Sequence, residues 1–299
     1  MSADKQNQSI LITGGTGFIG SALIEEFSQK GYMIYVLTRS KLKTDRKNIK
    51  FINDIYQDVE YDIVINLSGA PISQRWTKKA KEEIYDSRIN VTQKIVDFVN
   101  AAKTPPKLII SGSAIGYYGT SNELVFDENS NPTSQGLFSQ KLCLDWEEKI
   151  KKTEGEVRLV IIRIGVVVGK NGGIIKKMFL PFSLGLGGKI GTGNQYLSWV
   201  SLIDVMGGID HIIRHEDIRG PVNLTAPMVT TNKIFSQTLA KVLKRPCFFD
   251  MPSIIAKILF GQMARELLLA GQNVVPKKML ESGYEFKIKD LEEAILHSL

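Results

Sequence analysis

At 299 residues, with 43% hydrophobic and 23% charged side chains, the chain can bury a sizeable core and has the composition of a globular protein. Its formal net charge of +7 comes from dispersed lysines, with small clusters at Lys41–Lys50, Lys78–Lys81, Lys149–Lys152 and Lys176–Lys177. No aromatic residues interleave with these clusters, which argues against a nucleic-acid binder. Cys143 and Cys247 show neither metal-ligand spacing nor a disulfide framework, and three histidines are too scattered for a metal site. The polar start MSADKQNQS is not a leader peptide. Ser253–Ala270, the most apolar long segment, contains Lys257, Arg265 and Glu266 and reads as a buried or partner-facing helix, not a membrane span. These features set the expectation of a cytoplasmic protein with no membrane partner.

In chain order, Ile10–Ile12 is a short apolar run of the kind a buried parallel strand uses. It breaks into TGGTGFIG at Thr13–Gly20, and Ser21–Lys30 then carries Ala22, Leu23 and Phe27 at helical spacing. Gly31 ends that helix and Tyr32–Leu37 forms a second strand, completing a βαβ unit of about 30 residues. Gly14 allows the tight turn, Gly17 lets the backbone approach a pyrophosphate, and Gly20 lets helix and strand pack closely. Gly14, Thr16, Gly17, Phe18, Ile19 and Gly20 are therefore the candidate phosphate-binding stretch. A fold preferring NAD has an acid about 20 residues on, at the ribose 2′-hydroxyl. Here that place reads Thr38-Arg39-Ser40, with no carboxylate before Asp45. A guanidinium fork between two hydroxyls attracts a 2′-phosphate, so the reading favours NADP; the alternative for Arg39 is a solvated strand-end charge.

Strands continue to alternate with helices, the signature of a doubly wound parallel sheet. Ile49–Ile52 is a third strand and Tyr61–Leu67 a fourth, leading into Ser68-Gly69-Ala70-Pro71. Lys78–Arg88 and Asn90–Ala102 read as two helices, Lys107–Ile110 as a fifth strand ending in Ser111-Gly112-Ser113, Phe138–Lys152 as a helix, and Arg158–Val168 as a sixth strand. Beyond Gly169 the texture turns glycine-rich and then helical, with Pro221–Thr225 a strand able to rejoin the sheet. The expected architecture is an α/β Rossmann fold with a smaller, mainly helical C-terminal substrate subdomain. Its boundaries are 1–169 with 200–226 for the cofactor domain, and 170–199 with 227–299 for the substrate side, with a cleft at the carboxyl ends of the strands.

TGGTGFIG, NLSGAP at Asn66–Pro71, SGSAIGYYG at Ser111–Gly119 and IRIGVVVG at Ile162–Gly169 together resemble the extended short-chain dehydrogenase/reductase superfamily. Arg75-Trp76, Gly185–Asp204 and PKKMLESGYEF at Pro276–Phe286 narrow the resemblance to the NAD-dependent epimerase/dehydratase-like subfamily that includes bacterial YfcH proteins. The resemblance implies an NADP-binding fold in which Leu67, Ser68 and Gly69 flank the adenosine ribose and phosphates. Asp54 is placed at the adenine amine, and Glu83 and Arg88 at a phosphate or ribose; Asp54 and Arg88 read equally well as surface charges.

It also implies a catalytic Tyr four residues before a Lys, one helical turn apart, with a Ser at the fifth strand's end. Ser113 matches the serine and Lys141 the lysine, the latter also bonding the nicotinamide ribose; their plain readings are a strand-end hydroxyl and a surface charge. Leu137 stands where the tyrosine belongs and has no proton to give. Tyr117 and Tyr118, a few residues after Ser113, are the candidate replacements. Two functions stay open. One is an NADP-dependent oxidoreductase or epimerase-like enzyme moving a hydride at a carbonyl or hydroxyl carbon, with sugar derivatives among the substrates. The other is an NADP-binding sensor with little or no catalysis. The expected partners are a small-molecule substrate and, as an open case, a second copy of the chain.

Overall fold

The computed structural model describes residues 8–133 and 136–299; most of the polar start, Met1–Asn7, lies outside them. In chain order the strands are β1 (Ser9–Thr13), β2 (Met33–Leu37), β3 (Ile49–Ile52), β4 (Ile63–Asn66), β5 (Leu108–Ala114), β6 (Val125–Phe126), β7 (Arg158–Ile164), β8 (Val166–Val168), β9 (Tyr196–Leu197), β10 (Trp199–Ser201), β11 (Gly220–Leu224), β12 (Thr230–Thr231) and β13 (Asn273–Val274). The helices are α1 (Phe18–Gln29), α2 (Lys78–Ala101), α3 (Phe138–Ile150), α4 (Gly173–Ser183), α5 (Leu202–Arg214), α6 (Asn232–Val242), α7 (Ser253–Phe260), α8 (Lys277–Glu281) and α9 (Leu291–Leu296).

Seven strands form one sheet in the order β11-β7-β5-β4-β1-β2-β3, every neighbouring pair parallel. Alternation along the apolar runs decides the layers. Ile10, Ile12, Ile63, Ile65, Ile110 and Ile162 share one core with Leu23 and Phe27 of α1 and Ile209 of α5. Leu11, Val64, Ile109 and Ile161 point the other way, onto Ile95 and Val99 of α2 and Ile150 of α3. With both faces covered, the carboxyl edge is left for function, and the strand order reverses between β1 and β4. A buried polar chain pins that reversal: Thr13 Oγ1 donates to Asn66 Oδ1 (2.7 Å), while Asn66 Nδ2 and Trp146 Nε1 both donate to Thr92 Oγ1 (2.9 Å each).

Three elements differ from the sequence reading. α2 is one helix through Ile89, because no glycine or proline interrupts it. β5 runs on through Gly112 to Ala114, since β7 offers a partner that far, with Ser113 opposite Arg163. The apolar run 158–168 splits at Gly165. Gly165 N still donates to Leu224 O in the main sheet, while Val166 N donates to Ser198 O, and a Cβ on Gly165 would lie 2.6 Å from that Ser198 oxygen. From there β8 pairs with β10 and feeds a second core around Phe182, Trp199, Phe235 and Leu239.

The start of α3 is held from far along the chain. Its N-cap residue, Leu137, has no side chain able to cap. Glu266, in a π-helical turn (Ala264–Leu268), supplies the acceptor instead: Phe138 N (3.3 Å), Ser139 N (2.9 Å) and Ser139 Oγ (2.7 Å) all donate to its buried carboxylate. A carboxylate there also complements the helix dipole. Glu266→Ala leaves those donors buried and unmatched, with an expected loss of about 2 kcal/mol in urea unfolding and faster amide exchange at Phe138 and Ser139. An unchanged midpoint with both amides still protected would refute the capping role.

Candidate active site

The glycine stretch between β1 and α1 is a cradle closed by contact. Gly14 has φ +71°, and a Cβ on it would overlap the Leu67 carbonyl. Gly17 N closes the turn on Gly14 O at 3.0 Å, and a Cβ on Gly20 would overlap that same oxygen. α1 begins at Phe18 with no side-chain cap, and Thr16 and Gly17 are exposed, so the positive end of the helix is open to solvent. Ile19 turns into the core and the Phe18 ring packs against Gly169, Gly172 and Gly173, so these two offer a ligand only backbone.

At the end of β2, Thr38 Oγ1 accepts from Ser40 N (3.1 Å), which shapes the turn that exposes Arg39. Arg39 has no acidic partner among the described residues, whereas nearby Arg46 is committed to Glu25 (2.7 Å). Just past β4, Leu67 N donates to Thr13 O (3.1 Å) and leads into half-buried Ser68 and exposed Gly69. The Arg88 guanidinium lies against Gly69, donates through Nη1 to Ala70 O (3.2 Å) and Ile84 O (2.9 Å), and has its carbon 5.3 Å from the Trp146 ring centroid. Burial pulls its pKa below the ordinary value with no carboxylate offsetting it. Glu83 sits apart on the exposed side of α2 with no ion pair among the described residues. Asp54 is exposed beyond β3, 3.4 Å from Lys94 Nζ. The cradle, Leu67–Gly69 and Arg88 thus meet at the carboxyl ends of β1 and β4, with Arg39 just beyond the neighbouring strand β2.

On the reaction side the sequence candidates separate. Ser113 is buried, and its Oγ donates to Glu147 Oε1 (2.8 Å). Glu147 in turn takes both Nε and Nη2 of Arg163 at 2.9 Å, Arg163 Nη1 donates to Tyr118 Oη (2.9 Å), and Tyr118 donates to Asn223 Oδ1 (2.8 Å). Burial opposes the Arg163 charge, but Glu147 and Tyr118 hold its pKa above the usual arginine value. Tyr118 is fully buried with its proton given to Asn223, which removes it as a donor to a substrate, and burial pushes its phenol up to about 12. The Lys141 side chain is 70% exposed and paired with Asp145 at 2.7 Å, which raises its pKa; α3 does not bring it to Ser113. Tyr117 is different. It ends half-buried on the 3₁₀ turn (Ile115–Tyr118), its hydroxyl makes no hydrogen bond among the described residues, and the Arg163 guanidinium stacks 3.4 Å from its ring centroid. Cys143 is buried beside Gly116, and burial pushes its thiol up to about 11, so it is an inert packing residue. Among the described residues no cluster of His, Cys, Asp or Glu could hold a metal.

The sequence profile of the NAD dependent epimerase/dehydratase family matches residues 10–224. The chain belongs to this family. A domain of unknown function (DUF1731) matches residues 251–298. The chloroplastic SDR39U1 homolog of Arabidopsis thaliana, an epimerase family protein, is 38% identical over 308 residues, covering 98% of this chain and 88% of its own. Epimerase family protein YfhF of Bacillus subtilis is 36% identical over 96% of each chain. The crystal structure of human SDR39U1 with NADPH matches with a TM-score of 0.88 at 31% identity, over 97% of this chain and 98% of the human one. MoeE5 in complex with UDP-glucuronic acid and NAD shares the fold at 17% identity, with a TM-score of 0.77.

Sequence reading missed Glu147, Asn223, Glu128 and Glu266. The signal for Glu147 was present: Gln140, Cys143, Trp146, Glu147 and Ile150 recur at helical spacing and form the buried stripe of α3. Glu128, buried below this network, accepts from Asn223 N (2.9 Å) and Lys278 N (3.2 Å) through Oε1, while Oε2 has no partner. Burial raises its pKa from 4.5. The folded state therefore holds that proton more tightly than the unfolded chain. This contribution to stability is full below the ordinary value and lost as pH rises through the raised one. Glu128→Gln keeps an acceptor for both amides without the charge, so its Tm should gain on the parent's as pH rises above the ordinary carboxylate range. A Tm difference that does not grow with pH would overturn this account.

Proposed function

We propose that this protein is an NADP-dependent oxidoreductase or epimerase-like enzyme that moves a hydride at a carbonyl or hydroxyl carbon of a small molecule, sugar derivatives included. The observation that carries the reading is the coexistence of a preformed glycine cradle with one free phenol, Tyr117, backed by a permanent cation. The bound nicotinamide would supply the hydride acceptor or donor. Backbone at Thr16–Ile19 would hold the pyrophosphate, Thr38, Arg39 and Ser40 the 2′-phosphate, and Leu67–Gly69 with Arg88 the ribose and phosphates between. Tyr117 would exchange a proton with the substrate oxygen, and the Arg163 cation against its ring would stabilise the phenolate left behind. That is the service the superfamily's lysine gives its tyrosine, here supplied from β7 and not from Lys141. A cytoplasmic location, the finer likeness to YfcH proteins and the division at residues 169, 200 and 226 belong to the same reading.

A second reading, an NADP-binding sensor with little turnover, draws support from three placements: Leu137 at the start of α3, Lys141 in solvent and Ser113 bonded to Glu147. One measurement tests the cofactor preference common to both readings, and a second separates them. Fluorescence titration should give NADPH a dissociation constant at least about tenfold below that of NADH, because a charge-assisted contact is worth about 1.5–3 kcal/mol, and Arg39→Asp should erase the difference. Equal constants would remove the role given to Arg39. With any carbonyl substrate that turns over, Tyr117→Phe should lose about 10²-fold in kcat at unchanged NADPH affinity. An unchanged rate would take Tyr117 out of the chemistry, and absence of turnover across a carbonyl panel would favour the sensor.

A further inference from the structure

Helix α7 and its surroundings have no place in the site described above. The helix is anchored by buried Ala256 and half-buried Phe260, whereas Ile254, Ile255, Ile258 and Leu259 are 45–66% exposed. Just before it, Phe248 and Phe249 are 70% and 52% exposed with ring centroids 5.0 Å apart. A shallow hollow of about 520 Å³ between Leu184, Leu186, Arg245 and Phe249 carries the apolar surface on to the end of α4. So many exposed apolar side chains within residues 248–259 of a folded chain mark an interaction surface.

Charge identifies what the face meets. Residues 173–191 and 244–259 carry Lys176, Lys177, Lys189, Lys244, Arg245 and Lys257 against a single acid, Asp250, which Lys189 already engages. We propose that this face docks on an anionic lipid bilayer, with α7 lying in the interface and Phe248 and Phe249 entering the boundary between headgroups and acyl chains. A second copy fits less well, because a two-fold contact sets the same patch against itself and brings the lysines together. The helix lies on the bilayer and does not cross it: eight residues rise about 12 Å against a core of about 30 Å, and among the described residues no helix is long and apolar enough to span. The expectation of no membrane partner rested on the absence of a span, which surface docking does not need.

The full chain sedimented with vesicles of phosphatidylcholine, alone or mixed with phosphatidylglycerol, tests this. Binding to the anionic vesicles should exceed binding to neutral ones at least about tenfold and fall with added salt. The pair Phe248→Ser with Phe249→Ser, and separately the pair Lys244→Glu with Arg245→Glu, should each weaken it at least about tenfold at unchanged Tm, since all four positions are exposed. Absence of binding, equal affinity for both vesicle types, or indifference to both pairs would overturn the proposal. So would a lipid-free dimer in sedimentation velocity that the phenylalanine pair abolishes while vesicle binding is absent, an outcome assigning the face to a second copy.

Discussion

Glu147 and Arg163 meet inside the protein through two hydrogen bonds of 2.9 Å, with side chains 1% and 3% exposed. A charge this far from water is tolerable only when its remaining donors and acceptors are matched, and deleting one partner of such a pair typically costs about 3–5 kcal/mol. The matching groups come from everywhere around the carboxyl edge. Ser113 arrives on β5, Tyr118 on the turn that follows, Asn223 on β11, and Tyr117 covers the guanidinium face. One ion pair on α3 and β7 thus fixes the relative position of the strand end, the tyrosine turn and the returning strand. Asn223 Nδ2 extends the chain to Val275 O (3.0 Å), beyond the region the epimerase profile covers.

The same network decides which polar groups remain for chemistry. Ser113 and Tyr118 are consumed by it, because a buried acid and a buried guanidinium need partners more than a solvent-filled cleft needs hydroxyls. Consecutive residues on a 3₁₀ turn point about a third of a revolution apart, so Tyr118 can be sealed while Tyr117 keeps its hydroxyl free. Arg163 lies between them, bonded to one and stacked on the other. A guanidinium stays charged at any relevant pH, and this one, with three of its five donors committed to Glu147 and Tyr118, meets Tyr117 through its face.

The glycine turn was legible because its glycines answer backbone requirements. Gly14 needs positive φ, Gly20 needs the absence of a Cβ, and a strand, turn and helix of fixed lengths surround them, so the local sequence dictates the geometry. The reaction half was not. A spacing of four places residues 137 and 141 on one helical face but does not say which face is inward. The buried stripe of α3 from Ser139 and Gln140 through Cys143 and Trp146 to Ile150 turns Lys141 toward Asp145 and water. Likewise the end of β5 was underestimated because its continuation is set by pairing with β7, a partner more than 40 residues away that no local pattern announces.

Three buried carboxylates tie the epimerase region, residues 10–224, to the chain beyond it by accepting from backbone amides. Glu266 reaches back to Phe138 and Ser139 at the head of α3, and Glu128 reaches forward to Lys278 N. Asp204 accepts from Lys287 N (2.7 Å), Ile288 N (3.1 Å) and the Tyr284 hydroxyl (3.1 Å). An acid paired with a lysine across the boundary would leave two flexible charges to desolvate, whereas an acid accepting from main-chain amides satisfies donors that burial would otherwise strand. Each such contact is charge-assisted and depends on where the backbone runs, not on which side chains it carries. Glu128 and Asp204 read the main chain of segment 251–298, whereas Glu266 is that segment's own side chain reading the main chain of α3. Because one of its docking points is the first turn of α3, its seating and the shape of the reaction side are set together.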